Sequence, residues 1–457
     1  MKTFLGDDFL LNSALAQEIY ASIAGLGIID YHCHLSPKEI AENRSFSDLA
    51  ELWLSADHYK WRLMRINGVD ERFITGDACG FDKFMKWAET VETLIGSPMY
   101  HWVHLELRRY FGCEAVLSAA AAKGIWEHCN AVIASGDFNV LGILDKFGIE
   151  TVCTTDDPID DLRHHKAIRE RGGKTVVLPT FRPSNAYFID RPGFTEYIEK
   201  LSAVSGIKID SFETMLAALK NRISFFHENG CRLADNSLEP ALYEPYTLEE
   251  VDASFKTALS GGELWRLQAD RYKSALLTEL GREYAKHGWA MQIHMNAIRN
   301  NSTRMYNKIG VDAGFDSIDD RTSAAALSKL LDSLDVTGEL PKTIIYNLNP
   351  SANNMMAAMA GNYFGRVQHG PAWWFNDSKT GIAEHLTVLG NHGLLASFIG
   401  MTTDSRSFLS FPRHEYFRRI LANHLANEAI SGEFPADAEL LKRIAADIAY
   451  NNAGKLF

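Results

Sequence analysis

The feature that most restricts the fold of this 457-residue chain is the alternation of short apolar runs with helical stretches. Strands that alternate with helices indicate a parallel sheet, and eight such units predict a (β/α)8 barrel. The position of the fourth strand is open, because GIKIDS (206–211) is an alternative to residues 230–237. The eight runs are GIIDYHCHL (27–35), ETVCTTDD (150–157), KTVVLPTFRP (174–183), GCRLADNS (230–237), WAMQIHMNA (289–297), KTIIYNLNP (342–350), RVQHGPAWWF (366–375) and LASFIGMTTDSR (395–406).

One connection is far too long for a regular barrel. Roughly 115 residues separate the first two strands, whereas an ordinary βα connection has a handful. The intervening sequence is helical and aromatic in character, as in FSDLAELWLSADHYKWRLMRING and YHWVHLELRRYFG. We therefore expect residues 1–35 and 145–457 to form an α/β barrel of the TIM type, distorted by a large helical insertion. The insertion, 36–144, is expected to pack over the barrel mouth.

Composition excludes several classes of function. The net charge of -12 and the pI near 5.7 argue against a nucleic-acid surface, which needs a basic face. The six cysteines form no C-x-x-C pair, and the N-terminal MKTFLGDDFLLN carries acids where a signal peptide is apolar. We expect a cytoplasmic protein with neither nucleic-acid nor membrane partners. The oligomeric state stays open, with a homo-oligomer as one option.

The first predicted strand ends in two histidines. His32 and His34 are two residues apart, so on a strand their side chains project from the same face. Converging neutral imidazoles suit a divalent metal, particularly zinc. The alternative is a hydrogen-bonded pair at a strand end, since two ligands do not complete a metal site.

Other strands place reactive side chains at the same end of the barrel, where TIM-barrel active sites lie. His294 ends the fifth strand, and Asp404 and Arg406 end the eighth, which neighbours the first in a closed ring. A mixed zinc site of His32, His34, His294 and Asp404 is therefore reasonable. The structural alternatives are a core histidine and an Asp404–Arg406 ion pair that braces the barrel end.

Several further side chains are candidates for substrate binding. Arg182 ends the third strand and has the planar fork that matches a carboxylate; the alternative is an ion pair with the acids of DDPIDD. Asp235 ends the fourth strand. Of the adjacent Trp373 and Trp374, one should face the lumen, because neighbouring strand residues point in opposite directions.

The helical insertion and one loop add three more candidates. DHYKWR places His58 and Tyr59 where they either cover the substrate or pack on the barrel. Arg299 begins the loop RNNSTRMY (299–306), whose polar side chains suit either substrate binding or turn formation.

Long motifs in order along the whole chain resemble the uronate isomerase (glucuronate isomerase) family of the amidohydrolase superfamily. The resemblance extends to the C-terminal NAGKLF. The motifs that carry it are GIIDYHCHLSPKEIAE, ADHYKWRLMRINGVDERFITGDA, VCTTDDPIDDL, GFDSIDD, LPKTIIYNLNP, WWFNDSKTG and GMTTDSRSFLSFPRHEYFRRIL.

The resemblance implies an aldose–ketose isomerase of hexuronate catabolism. Such an enzyme interconverts D-glucuronate with D-fructuronate and D-galacturonate with D-tagaturonate through a cis-enediol. It implies metal ligation by His32, His34 and Asp404, with His294 near the metal or the substrate. The substrate-contacting positions that it implies are His58, Tyr59, Arg182, Asp235, Trp373 and Arg406.

The resemblance also implies a division of labour. Asp404 is expected to act as the base, Tyr59 to move a proton between O1 and O2, and Arg406 to hold Asp404 or stabilise the enediolate. One divalent cation, zinc, is expected, because the sixth strand (YNLNP) lacks the histidine and the fourth lacks the lysine of binuclear relatives. The rival interpretations are a metal-dependent hydrolase of the same superfamily and a non-catalytic sugar-binding protein.

Two positions depart from the family pattern. Asn236 replaces the histidine of the usual SDHG, and Asn296 replaces a glycine. Because Asn296 lies two residues after His294, strand alternation predicts that its side chain enters the pocket. The preferred uronate epimer therefore stays open.

Overall fold

The computed structural model of the chain describes residues 2–239, 241–321 and 323–457. Seven of the eight predicted strands overlap an observed strand. The strands are β1 (Ile28–Asp30), β2 (Ile149–Cys153), β3 (Val176–Leu178), β4 (Thr180–Phe181), β5 (Leu233–Leu238), β6 (Ala290–Met295), β7 (Ala297–Ile298), β8 (Ser317–Ile318), β9 (Lys342–Asn347) and β10 (Val367–His369).

Two parallel sheets follow one another around the ring. One has the order β1-β2-β3 and the other the order β10-β9-β6-β5-β4. They join where β3 passes into β4, because Thr154 N donates to Leu178 O and Asp156 N donates to Thr180 O. The parallel ladder is thus continuous from β1 to β10, as in a (β/α)8-like barrel.

The fourth strand is confirmed as β5, and GIKIDS forms a turn and loop instead. A short antiparallel pair, β7 with β8, was not predicted. It holds the two ends of the segment 299–316 together at the carboxyl end of the barrel.

The prediction of a regular eighth strand at 395–406 is wrong. This segment begins with a 3-10 turn at Leu395–Ser397 and then runs without regular structure. Gly400 (φ +83°) and Asp404 (φ +46°) are left-handed, which interrupts an extended backbone. The segment nevertheless lies beside the first strand: Asp404 N donates to His32 O (3.1 Å), and His34 N donates to Ser405 O (2.9 Å).

Side chains complete the closure of the ring. Oδ1 of the fully buried Asp30 accepts hydrogen bonds from Thr402 Oγ1 (2.6 Å) and Thr403 N (2.8 Å). On the other side, the Gln368 amide donates to Ser397 O (2.9 Å) and accepts from Ile399 N (2.8 Å). Polar side chains thus replace a strand ladder at the seam.

Helices surround the strands and fill the long connection. They are α1 (Ala14–Ile23), α2 (Pro37–Ala41), α3 (Leu49–Leu54), α4 (His58–Ile66), α5 (Gly80–Val91), α6 (Pro98–Phe111), α7 (Ala122–Ile133), α8 (Val140–Lys146), α9 (Arg163–Arg171), α10 (Ser184–Tyr187), α11 (Phe194–Ser205), α12 (Phe212–Glu228), α13 (Leu248–Leu259), α14 (Arg266–Lys286), α15 (Thr303–Ile309), α16 (Ala324–Asp335), α17 (Asn353–Ala360), α18 (Lys379–His392), α19 (Pro412–Ile430), α20 (Ala438–Ala446) and α21 (Asn452–Gly454). Among the described residues, none of these helices combines the length and apolar character that crossing a bilayer requires.

The helices α2–α8 share a hydrophobic core with the start of the barrel. Trp53 and Trp87 belong to the same buried cluster as Ile28 and Val152. A second cluster packs α11–α14 against β5 and β6. The division into a barrel (1–35, 145–457) and an insertion (36–144) stays a prediction.

A buried charged cluster lies within this helical region. Lys60 Nζ is 2.5 Å from Asp57 Oδ2 and 3.9 Å from Glu106 Oε2. All three side chains are largely withdrawn from solvent, and burial raises the pKa of Glu106 to about 7. In the folded protein Glu106 is therefore protonated below about pH 7 and ionised above it.

The raised pKa of Glu106 predicts a pH-dependent effect of Glu106→Gln on stability. Since the pKa rises from its ordinary value on folding, wild-type stability falls as the pH rises through about 7. The variant does not titrate there, so its free energy of unfolding, relative to wild type, should increase by about 3 kcal/mol between pH 4.5 and pH 8. Urea denaturation at several pH values measures the difference, with the exposed Glu127→Gln as control. A difference that is constant with pH would contradict the prediction.

Candidate active site

A cavity of about 300 Å³ opens at the carboxyl ends of the strands, beneath α4. All but one of the predicted site residues line it, and Asp235 is the exception. The predicted residues that line it are His32, His34, His58, Tyr59, Arg182, His294, Arg299, Trp373, Asp404 and Arg406.

Two histidines and a carboxylate converge at the base of the cavity. Oδ1 of Asp404 lies 3.1 Å from Nε2 of His32 and 3.1 Å from Nε2 of His34. The His294 ring stands 4.6 Å from the His32 ring, centre to centre. The first and last units of the ring thus meet where the sequence pattern predicted.

Hydrogen bonds at the far side of two imidazoles set their tautomers. Thr155 Oγ1 donates to Cys33 O (3.4 Å), so it accepts from Nδ1 of His34 (2.7 Å). Asp235 Oδ1 accepts from Nδ1 of His294 (2.7 Å). Each ring therefore keeps a lone pair on Nε2, which is the arrangement that a metal-binding histidine needs.

These atoms fit a divalent cation. Oδ1 of Asp404 lies 3.1 Å from Nε2 of both His32 and His34, so one cation can bind all three atoms. Within the described ranges, Nδ1 of the buried His32 and Nε2 of His294 lack a hydrogen-bond partner, while Nε2 of His32 lies 3.1 Å from Oδ1 of Asp404. His32, His34 and Asp404 form one group able to hold a metal, and His32, Asp235 and His294 form a second.

The first group is the better ligand set. Asp235 already binds Nδ1 of His294 through Oδ1, and its Oδ2 accepts from Arg182 Nη1 (2.8 Å). Its carboxylate is thus engaged on both oxygens. Asp235 is fully buried beneath His294 and Arg182, where it orients both side chains.

The environment keeps Asp404 ionised and His34 neutral. Burial opposes the charge of Asp404, but the imidazoles of His32 and His34 beside it hold its pKa well below its usual range. Burial lowers the pKa of His34 to about 4. The indole Nε1 of Trp373 donates to Oδ2 of Asp404 and fixes the carboxylate plane.

The helix α4 brings His58 and Tyr59 to the cavity. Asp57 caps this helix, because its Oδ1 accepts from Tyr59 N (3.0 Å) and Lys60 N (3.2 Å). The Tyr59 ring stacks on Trp374 at 5.9 Å. Burial, with the charge of Asp404, raises the pKa of the Tyr59 phenol well above its usual value, so its hydroxyl stays protonated.

Three arginines face the cavity with different partners. Arg182 pairs with the buried Asp235, and the Arg299 guanidinium lies 5.0 Å from the Trp374 ring centre. Arg406 Nη2 donates to Asp312 Oδ2 (2.9 Å). The expected alternative of an Asp404–Arg406 ion pair is therefore wrong.

The two departures from the family pattern point away from the cavity. Asn296 does not enter it as strand alternation predicted, because its φ of +66° ends the strand β6. Its side-chain amide donates to Asp319 O (3.3 Å) and Arg321 O (3.2 Å). The Asn236 amide donates to Gln292 O (3.2 Å).

Six further side chains line the cavity: Thr155, Asp157, Ser184, Asn185, Asp312 and Trp374. The sequence did not indicate them as contacts, or offered them only as alternatives. Both tryptophans face the cavity, because the φ of +54° at Trp374 breaks the alternation. Thr155 and Asp157 directly follow the second strand, in TTDDPIDD. Their position at the barrel rim could therefore have been predicted from the sequence. Asp312 does not follow a predicted strand, so its position in the cavity could not have been predicted in this way.

Comparisons with known proteins agree with one another. The sequence model of the family described as glucuronate isomerase matches residues 1–457. The uronate isomerase of Caldanaerobacter subterraneus subsp. tengcongensis is 48% identical over 460 residues, covering 99% of each chain. That of Lachnospira eligens is 46% identical over 464 residues, covering 100% of this chain and 99% of the other.

Solved structures give the same result. The uronate isomerase from Thermotoga maritima superposes with a TM-score of 0.96 at 32% identity, covering 100% of both chains. The glucuronate isomerase from Caulobacter crescentus superposes with a TM-score of 0.93 at 27% identity, covering 99% of this chain and 96% of the other.

The geometry predicts one divalent cation per chain and a supporting role for Thr155. After chelation and addition of zinc, we expect one equivalent by elemental analysis. Thr155→Val keeps the shape but removes the acceptor for Nδ1 of His34, so zinc affinity should fall about tenfold in a competition titration. Absence of zinc binding by the wild-type protein, or unchanged affinity in the variant, would contradict this assignment.

Proposed function

The chain belongs to the glucuronate isomerase family and is an isomerase, and we propose that its cavity converts hexuronates between aldose and ketose forms. The substrates are D-glucuronate, which gives D-fructuronate, and D-galacturonate, which gives D-tagaturonate. Proton transfer through a cis-enediol converts each pair. The observation that carries the proposal is the Asp404 carboxylate, set between two imidazoles in a cavity that also exposes arginines.

His32, His34 and Asp404 are the residues that would hold the cation, and zinc suits their nitrogen and oxygen donors. A divalent cation bound there supplies Lewis-acid polarisation of a substrate oxygen. His294 lines the same cavity and its Nε2 has no hydrogen-bond partner in the part of the chain that the structure describes, so it contacts either the cation or the substrate.

Asp404 is the base. The reaction needs a group that removes the proton from C2 and delivers it to C1 on the same face of the substrate. The ionised Asp404 carboxylate is held by Trp373 and lies at the base of the cavity. It takes the C2 proton, the C1 carbonyl becomes an enediol hydroxyl, and the same proton returns to C1.

Tyr59 and Arg406 act on the substrate oxygens O1 and O2. As the enediol forms and collapses, a proton leaves O2 and another must reach O1. The protonated Tyr59 hydroxyl relays this transfer, and its ring is held in place by Trp374. Arg406 stabilises the negative charge that develops on the enediolate oxygens.

Arg182 binds the C6 carboxylate. Its side chain is 27% exposed, toward the cavity, while Asp235 holds one edge of the guanidinium from below. The remaining N–H groups match the two oxygens of a carboxylate. A cytoplasmic location remains an expectation from the sequence, and the oligomeric state stays open.

Replacing the base tests the proposed reaction directly. The wild-type protein should convert D-glucuronate to a ketose, followed by NMR. Asp404→Asn should lower kcat by at least about 10²-fold, because the amide cannot take a proton. Circular dichroism checks that the fold is retained. Near-normal turnover by this variant would eliminate Asp404 as the base.

Arg182→Lys separates carboxylate binding from chemistry. Lysine keeps the positive charge beside the buried Asp235 but loses the planar fork. KM for D-glucuronate should rise about tenfold with little change in kcat. Steady-state kinetics measures both constants. An unchanged KM would show that the carboxylate binds elsewhere.

A further inference from the structure

The segment 310–317 is fastened to the helix that carries His58 and Tyr59. From α4, Arg62 Nη1 donates to Asp316 O (2.8 Å), and Arg65 Nη1 donates to Ala313 O. Gly314 has a φ of +92°, and a Cβ there would lie 2.9 Å from His58 O. This close approach needs glycine, and it lets the segment pack directly on α4.

The segment presents Asp312 to the cavity. Asp312 has a φ of +54°, a left-handed conformation that costs free energy for a residue other than glycine. Its Oδ2 accepts the hydrogen bond from Arg406 Nη2, and its side chain is 46% exposed. A strained loop residue therefore holds a carboxylate at the rim of the site, on the face open to substrate.

The cavity thus has two arginines that could compete for the substrate carboxylate. The side chains of Arg182 and Arg406 are each 27% exposed. The acid that pairs with Arg182 is fully buried and lies beneath it, so the cavity side of that guanidinium stays free. The acid that pairs with Arg406 lies in the cavity itself, where its negative charge faces an arriving anion.

We propose that Asp312 is a positioning residue that prevents the uronate carboxylate from binding at Arg406. The carboxylate then binds at Arg182, and the reacting carbons lie at Asp404. When the substrate binds, the repulsion acts only on the wrong orientation, because the other end of the substrate is uncharged until the enediolate forms. This inference rests on the proposed function, in which Arg182 binds the C6 carboxylate.

Asp312→Asn tests the proposal by its kinetic pattern. Asparagine tolerates the left-handed backbone and still accepts from Arg406, but it lacks the charge. A non-productive orientation should then compete with the productive one, so kcat and KM should fall together by about tenfold while kcat/KM stays within about twofold of wild type. A merely structural defect would instead lower kcat/KM. Asp320→Asn, at an exposed position outside the cavity, is the matched control and should change neither constant.

A binding measurement gives a readout that does not depend on turnover. In the Asp404→Asn background, adding Asp312→Asn should tighten D-glucuronate binding about tenfold by calorimetry. An unchanged or weaker affinity, a raised KM, or an unaltered kcat would overturn the role of Asp312. Failure of the proposed function has a different signature, which is the absence of ketose formation by the wild-type protein.

Discussion

The site depends on how the last segment of the ring is held against the first strand. Two backbone hydrogen bonds, from Asp404 N to His32 O and from His34 N to Ser405 O, place the carboxylate beside both imidazoles. The buried Asp30 supports them by accepting from Thr402 and Thr403. Because these are specific polar contacts and not a strand ladder, the segment is free to turn Asp404 inward.

Half of the ten described non-glycine residues with a positive φ belong to segments around the cavity. Asn296, Asn300, Asp312, Trp374 and Asp404 all have a positive φ. Two of them re-aim a side chain: Trp374 joins Trp373 on the cavity wall, and the Asn296 amide donates to the backbone of Asp319 and Arg321. Such residues persist only where the surrounding packing fixes them, and they cluster where a protein positions chemical groups.

The strand–helix alternation was sufficient to predict the barrel and to bring its carboxyl ends to one rim. It predicted the convergence of His32, His34, His294 and Asp404 because ring closure makes the first and last units neighbours. Alternation failed where a left-handed residue intervened, as at Asn296, Trp374 and Asp404. The alternation could not predict the pairing of Arg406 with Asp312, because Asp312 lies on a loop that is positioned by contacts with α4, which is distant in the sequence. The buried position of Asp235 likewise follows from three-dimensional packing around Arg182 and His294.

The proposed chemistry requires that His32, His34 and Asp404 together form a metal centre. Anomalous diffraction from crystals grown with zinc tests it most directly. We expect one peak within coordination distance of Nε2 of His32, Nε2 of His34 and a carboxylate oxygen of Asp404. A peak between His294 and Asp235 instead, or none near Asp404, would contradict it.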